Sequence, residues 1–143
     1  MFHSFSSIEA MAEQVAQFRF LNYRISKSVI QIDSTDEISQ QLDVEFTQAS
    51  GVNEEALMYK HTLEVVISNE NKSIHIEIVA DGMFEFDKEL TDVQKSNFFN
   101  INAPSILFPY VRAYITALTS LAGIQPIVLP TLNLSVRSSK ESE

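Results

Sequence analysis

Hydrophobic and polar residues alternate with a period of two in the first part of the chain, a pattern typical of β-strands with one buried face. Residues 18–29 form the first alternating stretch, and residues 41–48 form the second. Residues 49–56 lack the pattern and are predicted to form a loop. In the first strand the alternation predicts one buried set of side chains, namely Leu21, Tyr23, Ile25 and Val29.

The next two alternating stretches predict a β-hairpin around residues 69–72, which read Asn-Glu-Asn-Lys. If Ser68 pairs with Ser73, the apolar residues of both strands meet on one face of the hairpin. The same register places Glu64 directly opposite Glu77 on the other face. Two carboxylates would then lie side by side on that face.

Gly82 interrupts the alternation, and a bulge or bend is expected to end the strand there. After Asp87 helical spacing of apolar residues replaces the strand pattern. Thr91 is the expected N-cap of a short helix, and Pro104 suits the first turn of a longer helix that ends at Gly123. Pro109 lies inside the longer helix, where the loss of a backbone hydrogen bond should bend it.

Length and composition indicate one domain over residues 1–143, since 45% of its residues are hydrophobic and 20% are charged. An additional N-terminal helix is predicted at residues 6–18, where helical spacing follows a capping box of Ser6 and Glu9. Residues 135–143 form a polar tail.

The charge balance excludes several classes of partner. The formal net charge is −9, and clustered Lys and Arg residues for nucleic acid or an anionic membrane are not found. The absence of cysteine excludes disulfides, thiolate metal sites and thiol catalysis. No apolar run reaches the length of a membrane span, and no signal-peptide pattern begins the chain, so a cytoplasmic location is expected.

No arrangement of residues predicts an enzyme, a metal site or a cofactor. His3, His61 and His75 lack the spacing of a zinc site, and the hairpin register puts the last two on opposite faces. The glycines are isolated, so no phosphate-binding loop is present.

Carboxylates are the most concentrated polar groups in the sequence. Seven acids and no Lys or Arg lie between Ser28 and Tyr59. They are either a solvated face that aids solubility or a docking surface for a basic partner. The candidate docking residues on an acidic sheet face are Asp43, Glu45, Glu64 and Glu77.

Aromatic side chains are more numerous than one small core normally needs, with ten Phe and four Tyr. Most are expected in the core or in a subunit interface. Any that remain exposed would suit the binding of apolar polypeptide segments. The candidates for such an apolar groove are Phe20, Tyr23, Phe46, Phe84, Phe86, Phe98 and Phe99.

The run from Asn102 to Arg112, Asn-Ala-Pro-Ser-Ile-Leu-Phe-Pro-Tyr-Val-Arg, resembles the signature of the SecB protein-export chaperones. The stretch from Glu77 to Phe84 is similar to the fourth strand of that family, with Glu, Gly and an aliphatic-Phe pair in the same order. Weaker similarity continues to residue 134, so the resemblance covers residues 23–134.

The resemblance implies an α+β fold: a four-stranded antiparallel sheet with a long C-terminal helix packed against it, assembling as a dimer of dimers. It implies an ATP-independent holdase for unfolded or non-native polypeptides, which passes its clients to the export motor SecA. Glu77 matches an acid that the family uses to meet SecA. The helix residues expected in the oligomer interface are Leu107, Tyr110, Val111, Tyr114, Ile115 and Leu118.

The first strand departs from the family, because it carries Arg24 and Lys27 where relatives carry acids. This departure weakens the expectation for SecA. An alternative within the family is a chaperone dedicated to one client, such as the antitoxin of a toxin–antitoxin pair. An alternative of another class is a small-ligand binding protein or enzyme on the same fold, which predicts a closed pocket with convergent polar groups.

Overall fold

A computed structural model describes residues 17–33 and 41–131 of the chain. Its sheet has four antiparallel strands in the spatial order β1-β4-β3-β2, so β1 and β2 are the edges. The strands are β1 (Phe18–Ile32), β2 (Leu42–Asn53), β3 (Met58–Asn69) and β4 (Ile74–Phe86). Residues 6–16 of the predicted N-terminal helix and the tail 135–143 lie outside the described residues. Phe18, the last residue of that prediction, begins β1 instead.

A helical rod follows the sheet and covers one of its faces. It consists of α1 (Asp92–Asn97), a π-turn (Phe98–Asn102) and α2 (Ala103–Leu121). Thr91 caps α1 as predicted: its hydroxyl accepts from the Gln94 N–H, and the Gln94 side chain accepts from the Thr91 N–H. Gly123, just past the end of α2, has a φ of +87°, which confirms it as the helix stop.

The hairpin register differs from the predicted one by two residues. Ser68 pairs with His75 rather than with Ser73. Asn69 belongs to the strand because its buried side chain accepts from the Ile74 N–H and donates to the Ser73 hydroxyl. A shift of two residues leaves every side chain on its predicted face, but Glu77 now lies opposite Val66 rather than Glu64.

The alternation in β1 is broken twice, so the predicted buried set does not share one face. Bulges occur between Phe20 and Asn22 and between Ile25 and Lys27. Tyr23 lies on the helix side of the sheet. Val29 lies on the outer side, and Leu21 is 46% exposed at the first bulge.

The predicted loop at residues 49–56 is wrong in its first half, because β2 continues to Asn53 and pairs with β3 without a break. Exposed residues of an edge strand do not need to alternate between apolar and polar, so the alternating pattern ends before the strand does. The turn to β3 then follows, with the Asn53 side chain accepting from the Ala56 N–H.

The core lies between the sheet and α2, and Gly82 sits at their closest approach. β4 runs through Gly82 without the predicted bulge. A Cβ on Gly82 would lie 3.3 Å from Cδ1 of Leu107. The glycine therefore allows the helix to pack closely on the sheet and does not end the strand. The central buried residues are Leu63, Val65, Ile67, Ile74, Ile76, Ile78, Leu107, Val111 and Ile115.

Candidate functional site

Aromatic rings gather at one end of the sheet, on the side of the helical rod. The Tyr59 and Phe99 rings stack with centroids 4.1 Å apart, and Phe18 stacks on Phe84 at 4.8 Å and on Phe98 at 4.9 Å. Offset contacts of this kind add stability beyond the area that they bury. The cluster therefore joins the first strand, the central hairpin and the π-turn.

The candidate groove residues fall into three environments. Phe84 and Phe86 have no exposed surface, so they support the cluster from within. Tyr23 is 39% exposed and stacks on Tyr110 of α2 with centroids 4.6 Å apart. The candidates that are half-buried at the surface are Phe20, Phe46, Phe98 and Phe99.

The outward face of α2 is almost uncharged, since Arg112 is the only charged residue of the helix. Of the residues expected in an oligomer interface, Leu107, Val111 and Ile115 pack inside the chain against the sheet. Of the remaining three, Tyr110 is exposed, whereas Tyr114 and Leu118 are half-buried and pack partly against the core. Beyond them, Leu121 is 88% exposed. This strip, together with Tyr23 and Leu21, is an exposed apolar surface.

All four candidate docking acids project from the outer face of the sheet, away from the helix. Glu77 forms an ion pair with Lys27, and its second oxygen lies 3.3 Å from Nε2 of His75. The Lys27 ammonium, followed by the His75 ring, lowers the pKa of Glu77, and Glu77 in turn raises the pKa of Lys27. The charge of Glu77 is therefore balanced inside the chain.

Other cations balance the acids along β4 in the same way. Arg19 contacts Glu85 at 2.8 Å and Asp87 at 3.1 Å. Lys60 lies 3.9 Å from Asp81. In the part of the chain that the structure describes, no ion pair is found for the remaining candidates, Asp43, Glu45 and Glu64. These three form the acidic side of the outer face, near β2.

His61 is buried on the helix side of the sheet, on the opposite face from His75, as predicted. Burial lowers its pKa to about 4, so the ring is neutral at physiological pH. Its Nδ1 lies 2.9 Å from the Tyr59 hydroxyl, and its Nε2 lies 2.6 Å from the side-chain amide of Gln48. The sequence pattern put His61 on the inward face of its strand but did not indicate Tyr59 and Gln48 as its partners.

A hollow of about 380 Å³ beside Arg19 and Asp87 is open to solvent, so it is not the closed pocket that the ligand-binding alternative predicts. Arg19 in its lining already pairs with Glu85 and Asp87. Within residues 17–33 and 41–131, no cluster of His, Cys, Asp or Glu is arranged to hold a metal ion. In the same ranges, no helix is long and apolar enough to cross a membrane.

The sequence matches the family described as "Preprotein translocase subunit SecB" over residues 15–137. A four-stranded sheet with a long helix on one face is the architecture that the resemblance implied. The chain therefore belongs to the SecB family of protein-export chaperones, which confirms the identification from residues 102–112.

Named relatives agree with this assignment. The protein-export protein SecB of Orientia tsutsugamushi (strain Boryong) is 26% identical over 128 residues, covering 90% of this chain and 79% of the relative. The protein-export protein SecB of Azoarcus sp. (strain BH72) is 35% identical over 103 residues, covering 69% of this chain and 64% of the relative.

A solved structure has the same fold. It is the SecB-like chaperone of Mycobacterium tuberculosis in complex with a ChAD peptide from the HigA1 antitoxin. The two folds superpose with a TM-score of 0.69 at 16% identity, covering 85% of this chain and 94% of that chain.

Proposed function

We propose that this protein is a holdase that binds extended, non-native polypeptide in the cytoplasm, without nucleotide and without catalysing a reaction. Family membership supports the class of function. The observation that carries the binding mode is the contrast between the two edge strands of the sheet.

The edge strand β1 carries features that prevent another strand from pairing with it. It has two bulges and three cations, Arg19, Arg24 and Lys27. The opposite edge, β2, has no charge, proline or bulge between Phe46 and Asn53. Alternate backbone groups of an edge strand point away from its neighbour, so this half of β2 can hydrogen-bond to an added strand of any sequence.

Apolar side chains lie beside this edge. Phe46 is half-buried and meets Phe108 edge-on with centroids 5.9 Å apart, and Val52 is 46% exposed. Alternate side chains of an added strand would contact them. Backbone pairing with a few apolar contacts selects for extended, unfolded chains rather than for a particular sequence.

Self-association is part of the proposal. The outward face of α2, about 28 Å long, would be covered by the same face of a second copy, with Tyr23 and Leu21 at its margin. Small residues such as Ala113 and Ala117 allow two helices to approach closely. An uncharged helix face left in water would otherwise be an aggregation site.

A second candidate function is a chaperone dedicated to one client, such as an antitoxin. The ion pair of Lys27 with Glu77 favours it, because it removes the free acid through which the family resemblance implies SecA docking. The related fold of the Mycobacterium tuberculosis chaperone, which holds an antitoxin peptide, supports the same reading. Any basic partner would then meet Asp43, Glu45 and Glu64.

Refolding of a urea-denatured client in the presence of the full-length protein tests the proposal. At one chaperone assembly per client, refolding or aggregation should slow several-fold without added nucleotide. An unchanged refolding curve would disprove a holdase for general clients. Capture from the native cytoplasm then separates the two candidates, because a dedicated chaperone retains one polypeptide and a general one retains many.

A further inference from the structure

One carbonyl of the π-turn has no donor within the helical rod. The Ala103 N–H donates to the carbonyl of Phe98, five residues back. In the same register the Phe99 carbonyl needs the N–H of residue 104. Residue 104 is proline, which has no N–H. Buried carbonyls without a donor are costly, so the Phe99 carbonyl requires a partner from elsewhere.

Tyr59 of β3 is that partner. Its hydroxyl lies 3.1 Å from the Phe99 carbonyl oxygen, and its ring stacks on the Phe99 ring at an angle of 3°. Tyr59 is only 1% exposed, so the packing around it fixes the position of its side chain. A carbonyl can only accept, so in this hydrogen bond the Tyr59 hydroxyl is the donor.

Two further side chains hold the Tyr59 hydroxyl in place. Since its hydrogen is used at Phe99, its oxygen accepts from Nδ1 of His61 at 2.9 Å. Nε2 of His61 lies 2.6 Å from Oε1 of Gln48. A neutral ring that donates through Nδ1 must accept at Nε2, so this arrangement requires the Gln48 amide to be turned by 180° so that its nitrogen faces the ring. A chain of hydrogen bonds thus runs from the edge strand β2 to the π-turn.

We propose that Tyr59 is a positioning residue: it supplies the donor that Pro104 lacks, and so fixes the π-turn that presents Phe98 and Phe99. Phe98 and Phe99 are half-buried at the surface, so fixing the π-turn should also strengthen client binding. This second effect rests on the proposed function. The bond between Tyr59 and the π-turn is independent of clients. Each part has its own measurement.

The first measurement combines Tyr59→Phe with Pro104→Ala, at equal protomer concentration. Tyr59→Phe keeps the ring stack and should lower the urea midpoint by about 0.5 M. In the Pro104→Ala background, Tyr59→Phe should lower the urea midpoint by less than half as much, because residue 104 then has an N–H for the Phe99 carbonyl. Pro109→Ala is the matched control. In that background Tyr59→Phe should lower the urea midpoint by the full amount, since the new N–H of residue 109 lies more than a helical turn from the Phe99 carbonyl.

Equal losses in the Pro104→Ala and Pro109→Ala backgrounds would overturn the proposal. If Tyr59→Phe alone does not fold, recovery of folding by Pro104→Ala and not by Pro109→Ala supports it, and recovery by neither overturns it.

The second measurement is the dissociation constant for a fluorescent unfolded client. Tyr59→Phe should raise it about fivefold, and Pro104→Ala should restore part of the affinity. An unchanged constant would overturn the positioning role. If the wild-type protein binds no client, the proposed function fails, while the comparison of urea midpoints still decides whether Tyr59 holds the π-turn.

Discussion

Lys27 and Glu77 form an ion pair although they do not lie opposite each other in the sheet. Lys27 pairs with Val79, and Glu77 pairs with Val29. The bulge after Ile25 turns Lys27 onto the outer face, where the lysine side chain reaches along β4 to the carboxylate. The pair therefore depends on a backbone irregularity, and it neutralises the acid expected to dock a partner.

Charge reversal at Lys27 should open this surface to basic partners. We expect Lys27→Glu to increase the affinity for an Arg-rich peptide by about threefold to tenfold at low salt, and the gain should fade as salt rises. Fluorescence anisotropy against salt concentration measures it. Lys88→Glu makes the same charge change in an exposed turn and is the control. Equal gains for both variants would mean that net charge, and not Glu77, attracts the peptide.

Lysine on the open edge should block client binding. Thr47 is exposed on the outer side of β2, so Thr47→Lys leaves the core intact while placing a charge where an added strand would pair. We expect the client dissociation constant to rise about tenfold with little change in the urea midpoint. Gln125→Lys adds the same charge at an exposed position outside the strands and is the control. The edge-strand mode is wrong if both variants bind client as the wild type does.

A charge on the outward face of α2 should dissociate the assembly. Ala113 is exposed there, and Ala113→Glu would bury a carboxylate in the proposed interface. Sedimentation or mass photometry should show a smaller species, with an unchanged far-UV circular dichroism spectrum. Ala56→Glu, in the exposed turn before β3, should keep the wild-type mass. A wild-type mass for Ala113→Glu would place the interface elsewhere.

Alanine at Gly82 should destabilise the fold, because its Cβ would meet Phe84 at 3.2 Å and Leu107 at 3.3 Å. Overpacking of this kind costs about 1–3 kcal/mol of unfolding free energy. Gly51→Ala is the control, since no atom lies within 4 Å of its added Cβ. Urea unfolding at equal protomer concentration compares the two. Equal stability would show that α2 can move away from the sheet without cost.

His61 should make the fold sensitive to acid. Its pKa is about 4 when folded and returns to its usual value, near 6.5, when unfolded, so the unfolded state binds more protons between these values. Stability is therefore complete above about pH 6.5 and falls as the pH drops towards 4, with a loss of about 3 kcal/mol. The slope of unfolding free energy against pH in this range should disappear in His61→Gln and persist in His75→Gln. Parallel slopes in wild type and His61→Gln would assign the acid sensitivity to carboxylates.

The elements predicted most accurately depend on residues close together in the chain. The period of two predicted the correct faces of β3 and β4, and the N-cap at Thr91 and the stop at Gly123 located the ends of the helical rod. The family motif at residues 102–112 identified the class of protein. Each of these signals is complete within one or two turns or within one strand.

Features that depend on two distant segments could not be derived from the sequence. The alternation of β1 is interrupted by bulges that appear on pairing with β4. The hairpin register is a local exception, because the Asn69 side chain that decides it is buried beside its own turn and the apolar pattern does not indicate that burial. The separation of Phe84 from Phe98, one enclosed and the other at the surface, depends on where the helical rod lies.

The sequence by itself therefore determined most of the strands and helices, the apolar faces of β3 and β4, and the family, because local periodicity and caps act within a few residues. Only the tertiary structure decided which acids pair with a cation, which strands form the edges of the sheet and which aromatic rings are enclosed. Ion pairs, strand edges and shared hydrogen bonds join segments far apart in the chain, and their partners are set by packing rather than by spacing.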